Sequence, residues 1–202
     1  MHAMKSVLTA LATFVTILCL TSPAFAQPAN YYPTNYPIWP PPPTQLESMT
    51  TNTGTVIIRG TVLIGTVATD SATISLKCRE LTDVGTGRRV YGVAIGMGAP
   101  NQTEDVSLVD SDEVEPLLNA IDYLITMDWT ATSLPGLDAT YTTRGGFRVV
   151  AYGNRQVGSI QFAVRNTHTS PTPVQITRLH ITQLRNLLDQ AKQKLAELKG
   201  SQ

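Results

Sequence analysis

Two periods alternate along this chain. The stretch TVIIRGTVLIGTV, from Thr55 to Val67, is dense in β-branched residues and reads as a strand, with Gly60 and Gly65 as places for a bend or a bulge. In SATISLKCRELTD, Ile74, Leu76 and Cys78 share one face at a period of two, so a second strand is expected. The turn sequence VGTGRR leads into a third strand, RRVYGVAIGMG, and after the loop APNQTE the segment DVSLVD makes a short fourth. There the period changes. Val114, Leu117, Leu118, Ile121, Leu124 and Ile125 lie on one face of a helix with 3.6 residues per turn. Asp112 stands where an N-cap is wanted, and Glu115 completes the spacing of a capping box. Pro116 suits the first turn of a helix, which leaves the start between Asp112 and Pro116.

Pro135 and Gly136 break the chain, and the pattern then repeats. ATYTT, GFRVVAY and QVGSIQFAV read as three strands that turn at Gly145-Gly146 and at Gly153-Asn154. After the loop NTHTSPTP comes VQITRLHI, expected as a last strand that carries His180. Thr182 then caps a helix to Leu198, with Leu184, Leu188, Ala191, Leu195 and Leu198 as its apolar stripe, Leu187 beside them and Gly200 as its stop. A shift of 70 residues lays Asp112 on Thr182, Val114 on Leu184 and Leu118 on Leu188. The expected fold class is therefore α+β: an antiparallel sheet built from two similar β-rich halves, 53–130 and 136–200, each ending in a helix packed on the sheet.

The first 52 residues stand apart. Lys5, the uncharged apolar run Val7–Leu20 and the ending Ala24-Phe25-Ala26 compose a secretory signal peptide over 1–26. The run is shorter than the roughly 20 residues that span a bilayer. Leu18 before Cys19 does not suit a lipoprotein, and the alternative is a leader retained as an anchor. Residues 27–52 follow as a proline-rich linker, with seven prolines from Pro28 to Pro43, expected to be disordered or a polyproline spacer. Tyr31, Tyr32, Tyr36 and Trp39 punctuate it as candidate docking residues. The single α+β domain is expected over 53–202. The chain is thus expected to be exported, periplasmic or secreted, with no transmembrane segment once the leader is cut.

Charge changes this picture in two ways. Without the leader, 14 basic residues face 15 acidic ones, which argues against a nucleic-acid partner. The charges are also segregated. Val90–Thr143 holds nine acids and no Lys or Arg, whereas Arg144–Gln202 holds nine basic residues and two acids. The two parts can attract each other within one molecule or between molecules, so an oligomer is one expectation.

Residues in catalytic or ligand-binding patterns are few. Asp110, Asp112, Glu113 and Glu115 form an acidic patch, but DVSLVDSDEVEP lacks the central glycine of a calcium loop, so no metal is expected. Arg88, Arg89, Arg144, Arg148 and Arg155 are a possible anion or partner patch, should the strands bring them together. The two histidines beyond the leader, His168 and His180, have no G-x-S-x-G serine to serve, and TRGGF reads as a tight turn. Cys78, the only cysteine after the leader, is expected to be a buried, inert thiol. No catalytic residue and no cofactor are assigned.

The segments SLVDSDEVEPLLNAIDYL and ATYTTRGGFRVVAY and the closing leucine-rich helix resemble a pattern in small exported bacterial proteins without an assigned function, over Val56–Leu198. The resemblance implies an α+β domain and export, and it transfers no catalytic residue. The expectation is an exported, non-catalytic binding or structural module of the bacterial envelope, whose ligand, protein partner or envelope component is unknown. The rivals are a hydrolase whose carboxylates, such as Asp110, Asp122 or Asp138, meet only in the fold, and a protein that self-assembles through its oppositely charged halves.

Overall fold

Each half of the chain builds a four-stranded antiparallel meander of its own. The first sheet has the order β1 (Ile57–Ala68), β2 (Thr73–Asp83), β3 (Arg89–Gly98), β4 (Asp105–Asp110). The second has the order β5 (Gly136–Thr142), β6 (Phe147–Asn154), β7 (Ser159–Asn166), β8 (Val174–Ile176). Three helices join them: α1 (Gln45–Thr50), α2 (Val114–Thr126) and α3 (Arg178–Gly200). This is a computed structural model, and it describes residues 44–99, 103–166 and 173–200, which fall in one unit, Ile38–Gln202. Residues 1–43, with the expected signal peptide and most of the expected linker, and His168 lie outside the described residues. The α+β class and the two β-rich halves with a helix after each are as expected, and the sheet is divided in two, one part per half. No described helix is long and apolar enough to cross a membrane.

The helices pack crosswise. α2, which follows the first sheet in sequence, lies against β5 and β6 of the second. α3, which closes the second half, lies mainly on β1 and β2 of the first sheet and also reaches β7 and β8. The two helices also pack on each other. Their apolar faces and the inner faces of both sheets share one core, from Ile74, Leu76 and Val93 through Leu117, Ile121, Leu184 and Leu188 to Phe147 and Val164. A notch seats α3. The pairing of β1 with β2 slips between Leu63 and Gly65, a one-residue bulge, and a Cβ on Gly65 would come within 2.6 Å of Leu187 Cδ2. The bulge expected at this glycine thus doubles as a close approach of backbone to helix.

Two sequence boundaries are corrected. Residues 45–50, read as part of the linker, form α1, whose Leu46 and Met49 bury against Leu81, Val90, Ala94 and Leu108. These lie on the outer face of the first sheet, because strand side chains alternate and Ile74, Leu76 and Val93 take the inner one. The last strand stops at Ile176, and α3 begins at Arg178, before Thr182. Thr177 caps it: its hydroxyl accepts the amide of His180 at 3.2 Å, while His180 Nδ1 accepts the amide of Thr177 at 3.4 Å. Histidine here takes the place of the glutamate of a capping box. Thr182 instead donates its hydroxyl to the carbonyl of Arg178 at 2.8 Å. Ile181 is fully buried and begins the stripe that continues at Leu184, Leu188, Ala191 and Leu195, so burial of a helical face overrides the β-branched look of VQITRLHI.

Candidate functional site

Among the described residues, three acids and an arginine come together where β4 runs into α2. β4 ends on Asp110, which is opposite Gly92 of β3 on the face that α1 covers. Gly92 has no side chain to spare: a Cβ there would lie 2.6 Å from Leu46 Cδ1 and 2.2 Å from the carbonyl oxygen of Val109. The close approach lets α1 set its first turn on the Asp110 carboxylate. The amides of Gln45 and Leu46 donate to its two oxygens at 2.8 and 3.2 Å. The hydroxyl of Thr44 takes the amide of Glu47 at 2.9 Å, and Glu47 Oε2 takes the amide of Thr44 at 3.0 Å. A complete capping box and a carboxylate from 64 residues away thus satisfy the helix start, which also favours the negative charge. Asp110 is only 2% exposed.

The β5–β6 turn brings a cation to the same place. Thr143 to Gly146 form a tight turn, with Gly146 at φ +78° and its amide donating to Thr143 O at 3.0 Å. Gly145 is pressed on β4, since a Cβ there would sit 1.8 Å from the carbonyl oxygen of Leu108. Arg144 is thereby carried into the acidic segment. Its guanidinium lies 2.5 Å from Asp112 Oδ1, 3.1 Å from Glu113 Oε2 and 3.6 Å from Asp110 Oδ2. The Glu113 contact is an ion pair without the alignment of a hydrogen bond. The other Glu113 oxygen accepts the backbone amide of Arg144 at 2.8 Å. Burial works against the charge on Arg144, but the hydrogen bond to Asp112 and the field of Glu113 outweigh it and raise the guanidinium pKa above its ordinary value.

α3 completes the arrangement. Lys192 pairs with Glu115, and Lys199 Nζ donates to Ser111 Oγ at 2.8 Å. Two turns further along α2, Arg185 of α3 grips Asp122 with two bonds of 2.9 and 3.1 Å. Asp112 therefore does not cap α2. The N-cap residue is Glu113, whose side chain makes no capping bond because Arg144 holds it, and Glu115 is turned to Lys192 rather than back to the helix start. The capping-box spacing is present in the sequence, but fixed cations from the other half of the chain outcompete local backbone donors.

The acidic patch is brought together, and Arg144 sits within it. The five arginines are not assembled into a patch. Arg88 donates to Gln45 Oε1 at 3.4 Å, and Arg89 lies 3.8 Å from Glu80. Arg148 donates to Thr142 Oγ1 at 3.0 Å, and Arg155 binds the carbonyls of Trp129 and Thr132 at 2.5 and 2.9 Å. Arg148 stands near the start of β6 and Arg155 just past its end, roughly 20 Å apart by strand rise. Cys78 is buried, its Sγ 3.5 Å from the carbonyl of Ala191, and burial pushes the thiol pKa up to about 11 against the opposing pull of Lys194. Among the described residues no group of three or more His, Cys, Asp or Glu could hold a metal ion.

Sequence reasoning missed a second polar site, on the outer face of the first sheet beyond α1. Lys77 Nζ meets Glu104 Oε2 at 2.7 Å, and a Cβ on Gly96 would fall 2.5 Å from the Glu104 carboxyl carbon and 2.7 Å from Ser75 Oγ. The hydrogen bond from Lys77 holds the Glu104 carboxyl below its ordinary range. The signal was available: Ser75, Lys77 and Arg79 alternate with the apolar Ile74, Leu76 and Cys78. Two hollows are also present. One of about 460 Å³ lies between β1 and α3 and is bordered by Thr66, His180 and Gln183, and one of about 220 Å³ is bordered by Tyr123, Met127, Thr132 and Asp138. Comparison of the chain with protein-family models, with curated proteins and with solved structures gives no match.

Proposed function

We propose that the chain is an exported, non-catalytic binding or structural module of the cell envelope. One observation carries this reading: the carboxylates on which acid–base chemistry would depend are already held by donors of the fold. Asp110 serves α1 and Arg144, Asp112 and Glu113 serve Arg144, Glu115 serves Lys192, and Asp122 serves Arg185. A general acid or base has to reach the proton it exchanges with substrate, and these carboxylates are instead turned to amides and cations of the fold. Asp138 is the one carboxylate that borders the smaller hollow, without a second carboxylate across it. The leader-like segment 1–26 and the proline-rich segment after it support delivery outside the cytoplasm.

The reading is tested by native mass spectrometry of the chain recovered from its own envelope, alongside affinity capture with the full chain as bait. A bound small molecule, or an envelope component that the chain retains through washing, supports it. Turnover of a hydrolysable substrate that is lost in Asp138→Asn, with the fold unchanged, would overturn it.

A further inference from the structure

We propose that β1 is a self-pairing edge, and that two copies of the chain join through it in antiparallel register about Gly60 to make one continuous eight-stranded sheet. This goes beyond the binding reading and does not depend on it. β1 is the end strand of its sheet and, at 12 residues, the longest strand described. Such edges are normally blunted by lysine, proline, inward charges or a covering element, because their unpaired amides and carbonyls recruit other strands. Between Val56 and Val67 there is no proline and one charged residue, Arg59. Val56, Ile58, Val62 and Leu63 are 65, 58, 41 and 57% exposed. The bulge at Ile64 and the seat of α3 on Gly65 lie beyond this stretch, so Ile57–Leu63 is regular, unshielded strand.

The sequence of that stretch selects the occupant. IIRGTVL is self-complementary about its central glycine. A two-fold axis at Gly60 sets Ile57 against Leu63 of the second copy and Ile58 against its Val62. Arg59 then meets Thr61, and Gly60 meets Gly60. Every apolar side chain faces an apolar one on the same side of the sheet, and the single charge avoids its own copy, which would repel it. An unrelated extended peptide has no reason to share this symmetry. The contact is isologous, so it uses each β1 once and closes at two chains. It also differs from assembly through the oppositely charged halves, whose charges already pair within one molecule in Arg144 with Asp112, Arg185 with Asp122 and Lys192 with Glu115.

The test uses the chain expressed with its own leader and recovered after export. Sedimentation across a concentration series is expected to show a monomer–dimer equilibrium that persists in 1 M salt, roughly where the Debye length is 3 Å. Gly60→Cys is the register probe. A Cβ there meets nothing closer than Glu80 Cβ at 3.7 Å, so the substitution fits. Residues paired across a two-fold axis lie about 4.5–5.5 Å apart, within disulfide reach, so mild oxidation is expected to lock the G60C dimer. Ile58→Cys, two residues off the axis, is expected to stay unlocked. Thr61→Glu faces Arg59 twice and is expected to tighten the dimer by roughly 2- to 30-fold, and Thr61→Arg to loosen it by a similar factor. A chain that remains monomeric at every concentration overturns the proposal. So does a dimer that dissolves in salt, one that I58C locks as well as G60C, or a foreign peptide found cross-linked to the cysteine of G60C.

Discussion

Asp110 is a buried carboxylate whose two oxygens serve backbone amides 64 and 65 residues away in sequence. Truncation to Ala strands the amides of Gln45 and Leu46 at a buried helix start, so Asp110→Ala is expected to lower stability by about 2–4 kcal/mol, read as a shift of the urea midpoint. Asp110→Asn is expected to cost nearly as much, since its NH₂ group must face a donor. Arg144→Ala should be milder, about 1–3 kcal/mol, because its side chain is one-third exposed and Glu113 keeps the Arg144 backbone amide. The same logic gives a pH dependence. Glu104, held down by Lys77, and Asp83, held down first by the Thr55 hydroxyl, both have folded-state pKa values below their unfolded ones. The folded chain then binds fewer protons, so this stabilisation is complete above the unfolded values near 4 and is lost as pH falls through the folded ones. The midpoint in urea should therefore be flat from pH 6 to 8 and drop below about pH 4, with Lys77→Met reducing the drop. A midpoint that rises on acidification would refute this assignment. Cys78, with its thiol at about 11, is expected to ignore thiol reagents at pH 8 until the chain is unfolded.

At the scale of elements, the turns and notches are more demanding than the strands. Gly145 leaves no room for a methyl group, because the atom in the way is the Leu108 carbonyl of β4 and cannot move without breaking the register. Gly145→Ala is expected to destabilise by about 3 kcal/mol or more, against about 1 kcal/mol for Gly158→Ala in the β6–β7 turn, where nothing lies within 4 Å of the added Cβ and the cost is the positive φ alone. If thermal melting ranks the two the other way round, the close packing of the β5–β6 turn on β4 is wrong. The contrast explains what could be read beforehand. Seven of the eight strands and α2 announce themselves through their own residues, as DVSLVD does at 105–110. What could not be read is whatever depends on a distant partner. α1 has six residues, too few to declare a period, and it exists because Leu46 fits over Gly92 and Asp110 meets its amides. The acids 110–115 look like helix capping because sequence shows only local donors, whereas Arg144 arrives from the next sheet and Lys192 from the last helix. The arginines are scattered for the same reason, since sequence spacing does not say which end of a strand each one occupies.

For the molecule as a whole, the crossed packing of the helices decides how the chain holds together. The two halves share a pattern, and a duplicated unit would ordinarily be expected to fold by itself. Here α2 leaves the first sheet to cover β5 and β6, and α3 returns to cover β1 and β2. Cut from its partner, the first half would expose Ile74, Leu76 and Cys78, and the second would expose Phe147, Val149 and Val164, all within a few per cent of complete burial in the intact chain. A lone four-stranded sheet with one uncovered apolar face falls short of the burial that offsets its chain entropy. The charge segregation acts in the same direction: the acidic middle and the basic end are joined by Arg144, Arg185 and Lys192 across the two halves. Separate fragments spanning residues 44–134 and 135–200 are therefore each expected to lack near-ultraviolet circular dichroism and slow amide exchange. An equimolar mixture is expected to regain both, and regain them less well in high salt as the cross-half ion pairs are screened. The intact chain is expected to melt in one transition, with α3 amides exchanging together with those of β2 rather than with those of β8. Two separable transitions, or a first half that folds without α3, would show that the pattern marks two independent units and that the crossed helices only decorate them.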